Sequence, residues 1–367
     1  MIARPIRAAL LRRGHRWEFA LGIRPLRWGA ADGGDLLLGR SALPRAGVSA
    51  ATTRRLDLPF VPPSWGTWTG DVFLQYLDDE PRLISRPLLF GHRSEWQPRP
   101  YLSLGFSRTI LFGGEDRTSR LNAGDLVDIF FGIDENKTGE RPPSDSDQKA
   151  ALHGRLAWPT LGRWRDVELS YVYAGEDALH GVFPSAIAHQ WTLGAATGAL
   201  AFRLESTETN TGANRWYTHT IYGPAYFYRR LPIGWPYGAG SKIFSGSIGG
   251  QTGQWIFATR LTDERMRARN DWRSHRTRVE AWVSLACGAR DRIEFGLEAT
   301  GIPNADSRSM IDDRRRNPPL ETPLDPLDPI GVQSRAVISW TRSWDRRTAS
   351  ELLPPSMGRA LAHCGPG

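Results

Sequence analysis

Cysteine is scarce: Cys287 and Cys364 are the two in 367 residues. One ends an alternating strand-like run and the other lies near the C-terminus, a spacing that suggests neither a metal site nor a disulfide framework. Lysine is scarcer than the charge implies, because Lys137, Lys149 and Lys242 are the only lysines among 47 basic residues. Arginine supplies the rest and is spread along the chain. The formal charge of +8 therefore points to a diffuse surface, suited to acidic polysaccharide or lipid phosphate, rather than to a contiguous nucleic-acid footprint. No run reaches the ~18 apolar residues that a spanning helix needs. The basic start, Met1 to Arg16, holds only Ala8-Ala9-Leu10-Leu11 as an apolar core, too short for a signal peptide, so an export signal is expected to be missing from this chain.

What is plentiful is turn chemistry and aromatic surface. The 38 Gly and 26 Pro punctuate short alternating runs, and 15 Trp and 14 Phe accompany them. The sharpest run is Leu200 to Thr207, in which Phe202 and Leu204 alternate with Arg203, Glu205 and Thr207. A polar turn at 210–214 follows, and an aromatic-rich run resumes from Arg215 through Tyr222 to Arg230. Further strands are predicted at Trp17–Leu21, 48–58, 67–77, 100–112, 152–158, 166–173, 254–261, 277–287, 292–299 and 333–344. Asp125–Phe131 is an apolar run among them. Asp263–Asp271 is the most helix-compatible segment, and 134–147 and 318–329 read as loops.

About a dozen strands of roughly 8–12 residues are close to the length of a tilted membrane-crossing strand. The expected fold is all-β, a large antiparallel transmembrane barrel of the outer-membrane type, incomplete on its N-terminal side. Three segments are expected: a basic stretch at 1–16, the barrel at 17–344 and an Arg/Pro-rich tail at 345–367. Alternation alone leaves a soluble sandwich open, since a second sheet would bury the same apolar face. Tryptophans near strand ends (Trp17, Trp65, Trp68, Trp158, Trp164, Trp216, Trp235, Trp255, Trp340, Trp344) favour the barrel, because indoles settle at the membrane boundary.

The order of motifs resembles the Wzi family of outer-membrane capsule-assembly proteins. Trp28-Gly29 with Leu36-Leu37-Leu38 and Ala42-Leu43-Pro44 is similar to one family block. Gly105-Phe106-Ser107-Arg108 with Gly113-Gly114, Asn122-Ala123-Gly124-Asp125 with Asp128, and Gly175-Glu176-Asp177 resemble the next three. Arg203-Leu204-Glu205, Tyr217, His219, Tyr222, Tyr226, Tyr228, Arg230, Pro232 and Gly234 supply the last. The resemblance implies an N-terminally truncated member that anchors capsular polysaccharide at the cell surface, lectin-like, with outer-membrane lipid as its other partner. Catalysis, cofactor, metal and nucleic acid are not expected.

Candidate sugar contacts are Trp28, Asp32 and Asp35 in a Gly-rich loop, and Asn214, Trp216 and Tyr217. Aromatic faces stack on pyranose rings, and Asp or Asn hydrogen-bonds hydroxyls. Interfacial anchoring is the plainer role for the same aromatics. Arg203, Glu205, His219, Tyr222, Tyr226 and Arg230 read as structural signature residues lining the lumen. His219 also admits a lipid-modifying hydrolase, although Ser206 alternates away from Arg203 and Glu205 and no nucleophile elbow is present. A soluble basic sandwich is the remaining alternative. Gly114-Glu115-Asp116 and Gly175-Glu176-Asp177 read as turns rather than calcium loops.

Overall fold

The computed structural model describes residues 8–29, 31, 34–39, 43–57, 61–78, 84–115, 121–131, 146–179, 183–209, 216–217, 219, 222, 226–229, 231–268, 271–286, 291–301 and 332–342. The first strands are β1 (Ala8–Arg13), β2 (Trp17–Arg24), β3 (Arg45–Thr52), the short β4 (Leu56–Asp57), β5 (Thr67–Tyr76), β6 (Leu88–Arg99) and β7 (Leu102–Phe112). Helix α1 (Ala123–Phe131) precedes β8 (Asp147–Leu161), β9 (Trp164–Leu179), β10 (Phe183–Thr197) and β11 (Leu200–Glu208). The two-residue strands β12 (Phe227–Tyr228) and β13 (Leu231–Pro232) form a separate hairpin. Then come β14 (Ser241–Thr252), β15 (Trp255–Ala268), β16 (Asp271–Ala286), β17 (Asp291–Gly301) and β18 (Val332–Arg342).

All the long strands lie in one 16-stranded antiparallel sheet in which sequence neighbours pair, apart from β12 and β13 and with β4 added beside β5. Among the described residues no pairing joins β1 to β18, so the sheet curls as a barrel wall without closing. The reason for the architecture is visible in β11. Ala201, Arg203, Glu205 and Thr207 are buried, while Leu204 is 45% exposed on the other face. A pleated strand sends alternate side chains to opposite faces, and here the polar set goes inward. Outward stand Phe19, Leu21, Val48, Val72, Leu152, Leu193, Phe244, Leu261 and Leu297, the apolar band of a transmembrane barrel.

The two ends differ. Residues 100–101, 162–163, 198–199 and 253–254 make tight turns at one end, whereas connections 25–44, 113–146, 209–240 and 302–331 all leave from the other. Outer-membrane barrels have short periplasmic turns and longer extracellular loops, which orients the molecule. Trp17, Trp65, Trp68, Trp96, Tyr101 and Trp255 gather at the short-turn end, with Trp17 and Trp68 rings 6.3 Å apart. That is where an aromatic girdle belongs. Trp216 and Trp235 were expected in it but are buried inside the barrel.

Other expectations are corrected. Asp263–Asp271 is no helix; it completes β15 and enters β16, with Thr262 and Glu264 buried inward and Asp263 paired to His275 across the hairpin. In the run expected after Arg215, β12 stays off the main sheet, and the described Tyr217, Tyr222 and Tyr226 bond polar partners in the lumen. The basic start contains β1, which pairs with β2 from Ala8 to Arg13. Strands β6, β10 and β14 carry small or polar residues on their apolar-looking faces, which hid their alternation. The 134–145 and 318–329 loops and Trp344 lie outside the described residues.

Asp125–Phe131 is part of α1. Asn122 Oδ1 accepts from Asp125 N at 3.0 Å and Asp125 Oδ2 accepts from Asn122 N at 2.7 Å, a reciprocal capping box. The helix packs on the outward face of the wall: Ile129 buries against Ile110 and Phe112, and Phe130 meets Phe90. Arg108, the arginine of the Gly105–Arg108 motif, donates to Phe130 O at 2.5 Å and to Gln148, and Gln148 donates to Ile129 O at 2.9 Å. An outward arginine thereby satisfies the helix C-terminus.

Candidate functional site: a plugged lumen and a basic cavity

Two connections from the long-loop end dip into the barrel and form a plug. The first runs through Trp28 to Leu38. Asp35 Oδ1 accepts from Leu37 N at 2.9 Å, tightening the turn, and Gly29 sits at φ +78° against Asp35 where a side chain would collide. The Trp28 indole N–H reaches Asp71 Oδ1 at 2.9 Å. Leu36, Leu37 and Leu38 are thereby buried together.

The second connection lays Trp216, Tyr217, Tyr222, Tyr226, Tyr228, Ile233 and Trp235 onto that leucine triplet. Each tyrosine has a polar partner for its hydroxyl. Tyr226 bonds Leu37 O and Thr109 Oγ1, both at 2.7 Å, and Tyr222 donates to Gly113 O at 3.1 Å. Tyr217 donates to Leu36 O and accepts from Trp235 N at 2.6 Å. Its ring stacks on Tyr226 at 5.3 Å and 13°. Burial pushes both phenols above their ordinary value, so they stay neutral donors. Gly234 is needed where the segments touch, since a Cβ there would overlap Leu36 O and the Tyr217 hydroxyl.

Beneath the aromatics lies a charged support. Lys149 is fully buried, pairs with Asp147 and with Glu176 at 2.8 Å, and places its ammonium 4.6 Å from the Tyr226 ring centre. Glu176 also accepts from Tyr217 N at 3.1 Å. Glu176 stands within β9 rather than in the turn expected for Gly175-Glu176-Asp177, and its carboxylate closes the pair with the plug. The available signal for Lys149 was a lysine in a chain whose basic residues are otherwise almost all arginine.

Of the predicted sugar contacts, Trp28, Asp35, Trp216 and Tyr217 are brought into this one cluster. Trp216 and Tyr217 are 0% exposed, so neither ring has a face open to a saccharide; they hold the plug. Asp32, Asn214 and Arg230 lie outside the described residues. His219 rests on Tyr222 at 5.6 Å. Ser206 is on the face opposite Arg203 and Glu205, and those two pair with each other at 2.5 Å. Glu115 pairs with Arg86 at 2.8 Å, and among the described residues no group of three or more His, Cys, Asp or Glu could hold a metal.

Farther round the wall, on β11 and β15 to β17, the lumen is lined by charged pairs. Arg260 reaches Glu205 at 3.4 Å, and Arg278 reaches Glu264 and Glu298, each at 3.5 Å. Toward the short turns, between β3, β5 and β6, lies a cavity of about 590 Å³ lined by Arg27, Trp28, Arg54, Arg55, Asp71, Arg93 and Glu95.

A profile of the family described as capsule assembly protein Wzi matches residues 7–251. The chain belongs to the Wzi family. Among solved structures it is similar to Wzi of Escherichia coli, an outer-membrane protein involved in group 1 capsule assembly and described as a carbohydrate-binding β-barrel. That match has a TM-score of 0.65 at 20% identity and covers 81% of this chain but 66% of the E. coli protein. Pseudomonas aeruginosa OpdQ follows with a TM-score of 0.49 and 9% identity over 80% of this chain and 76% of its own. Acinetobacter baumannii OccAB1 has a TM-score of 0.49 and 8% identity over 91% and 76%. No curated protein matches the chain by sequence. The Wzi family places the chain among outer-membrane β-barrels, in keeping with its outward apolar band.

Proposed function

We propose that this Wzi-family chain holds capsular polysaccharide at the outer face of the outer membrane by binding, without catalysis. The plug carries this reading. A conducting barrel keeps an aqueous lumen, whereas here two connections fill the long-loop half with buried leucine and tyrosine. A polymer would then be met at the surface rather than passed through. The outward apolar band would sit in outer-membrane lipid, the second partner. Contacts would come from the long connections, with Asp32 and Asn214 bringing carboxylate and amide groups suited to sugar hydroxyls.

The test is a gene deletion in the native encapsulated cell, followed by separate assay of cell-bound and released polysaccharide. The expected result is unchanged total polymer with a larger released fraction, restored by the wild-type gene. An unchanged bound fraction would refute the reading.

A further inference from the structure

The lipid face of a membrane-crossing wall is apolar, yet β6, β7 and β8 bring His92, Arg108 and Gln148 close together on their outward side. All three meet the C-terminal end of α1. The His92 ring stacks on Phe130 at 6.4 Å and 28°, Arg108 donates to Phe130 O at 2.5 Å, and Gln148 donates to Ile129 O at 2.9 Å. The last carbonyls of a helix have no partner within it. Surrounded by water they would be solvated without help from the wall. Surrounded by hydrocarbon they must be met by protein donors, because an unmet carbonyl is costly there.

Strand register gives the depth. Leu104 pairs with Trp96 of the girdle, and Ile110 and Phe112, on which Ile129 packs, stand six and eight residues farther along β7. At about 3.3 Å per residue and a tilt of roughly 40°, they lie about 15 and 20 Å up the barrel axis from the girdle. The apolar band of such a barrel is about 25 Å tall, so α1 packs against its outer half. The helix also runs downward. Leu121 stands beside Gly113, just past the upper end of β7, whereas Ile129 and Phe130 reach donors level with Ile110 and Arg108. The reciprocal cap of Asn122 and Asp125 is therefore at the rim. Leu126, Val127, Phe130 and Phe131 are 46–69% exposed, and the Phe130 ring meets Phe90 of the wall, so this apolar face continues the outward band.

We infer that α1 is a membrane-inserted element, lying along the outside of the barrel among the acyl chains of the outer leaflet. Its capped N-terminus stays at the rim, and Arg108 and Gln148 allow its C-terminus to enter hydrocarbon. The inference rests on the membrane placement of the wall and not on the holding of capsule.

Spin-label accessibility tests it, on the full chain carrying Cys287→Ser and Cys364→Ser in dioleoylphosphatidylcholine vesicles. A nitroxide is attached in turn through Leu126→Cys, Val127→Cys, the outward wall position Leu297→Cys and the tight-turn position Arg163→Cys, and its contact with oxygen and with a polar nickel chelate is measured. Leu126 and Val127 are both half exposed, so neither label needs the wall to repack. Both helix labels should match Leu297, open to oxygen and at least about tenfold less open to the chelate than Arg163, since a polar chelate enters hydrocarbon at a cost above about 1.4 kcal/mol. Chelate access at the helix equal to that at Arg163, with Leu297 protected, would place α1 in water and overturn the inference. Low access to both reagents at the helix would also overturn it, because protein would then cover the face: a second copy if spin–spin broadening persists on dilution into lipid, this chain itself if there is none. Chelate access at Leu297 as well would overturn the membrane placement of the wall and of α1 with it, leaving the capsule-release assay to judge the proposed function separately.

Discussion

Connections 113–146 and 209–240 leave the same end of the barrel and go opposite ways. The described part of the first lies outside the wall as α1, and the described part of the second folds inside as the plug. Their side chains explain the choice. Helix α1 satisfies the backbone of its middle turns and offers Leu126, Val127, Ile129, Phe130 and Phe131, none with a polar tip. Its polar contacts are confined to its ends, at Asn122 and Asp125 and at Arg108 and Gln148. The plug offers tyrosines, and the lumen offers Thr109, Glu176, Lys149 and loop carbonyls to receive them. An aromatic with a hydroxyl suits a polar interior, and one without suits an apolar exterior.

The comparison breaks most visibly at Lys149. Replacing it with Ala leaves Asp147 and Glu176 buried without their cation, so the folded chain should lose about 3–5 kcal/mol. Urea unfolding in lipid vesicles would measure this, and a loss below about 1 kcal/mol would show that the plug does not depend on this support. Arg108→Ala tests the outer side. Phe130 O and Gln148 lose a charged donor, and a loss of about 1.5–3 kcal/mol is expected by the same method, with the lumenal tyrosines undisturbed in near-ultraviolet dichroism. The smallest effect belongs to Tyr226→Phe, which keeps the stacked ring and removes one hydroxyl. About 1 kcal/mol should be lost, and no loss at all would mean that hydroxyl chemistry does not select the inside path.

How much of this could be read from residues alone follows the same division. The inward set Arg203, Glu205 and Thr207 and the outward Phe202 and Leu204 were legible because strict alternation has one period and two faces. Likewise, ordered blocks around Trp28, Arg108, Glu176 and Tyr217 pointed to the family before any fold was seen. The plug was not legible. Trp216 and Trp235 have the composition of a girdle, and nothing local distinguishes a tryptophan at a membrane boundary from one folded across a lumen. Helix α1 was hidden in a nine-residue stretch, although the Asn122/Asp125 spacing of a capping box was present. The cavity depends on Arg27, the Arg54–Arg55 pair and Arg93 arriving from three places in the chain, which only strand register can bring about.

The central claim is that the described residues of connection 209–240, Tyr217 to Trp235 among them, are an integral plug of the lumen rather than a surface loop. Amide hydrogen–deuterium exchange on the full chain in detergent tests it most directly. The account predicts that the amides of Tyr217, Tyr226, Ile233 and Trp235, which bond Glu176, Tyr217 O, Tyr226 O and the Tyr217 hydroxyl, exchange as slowly as those of β9 and β11. Exchange of these amides at the rate of an unstructured loop, with β9 and β11 still protected, would contradict it.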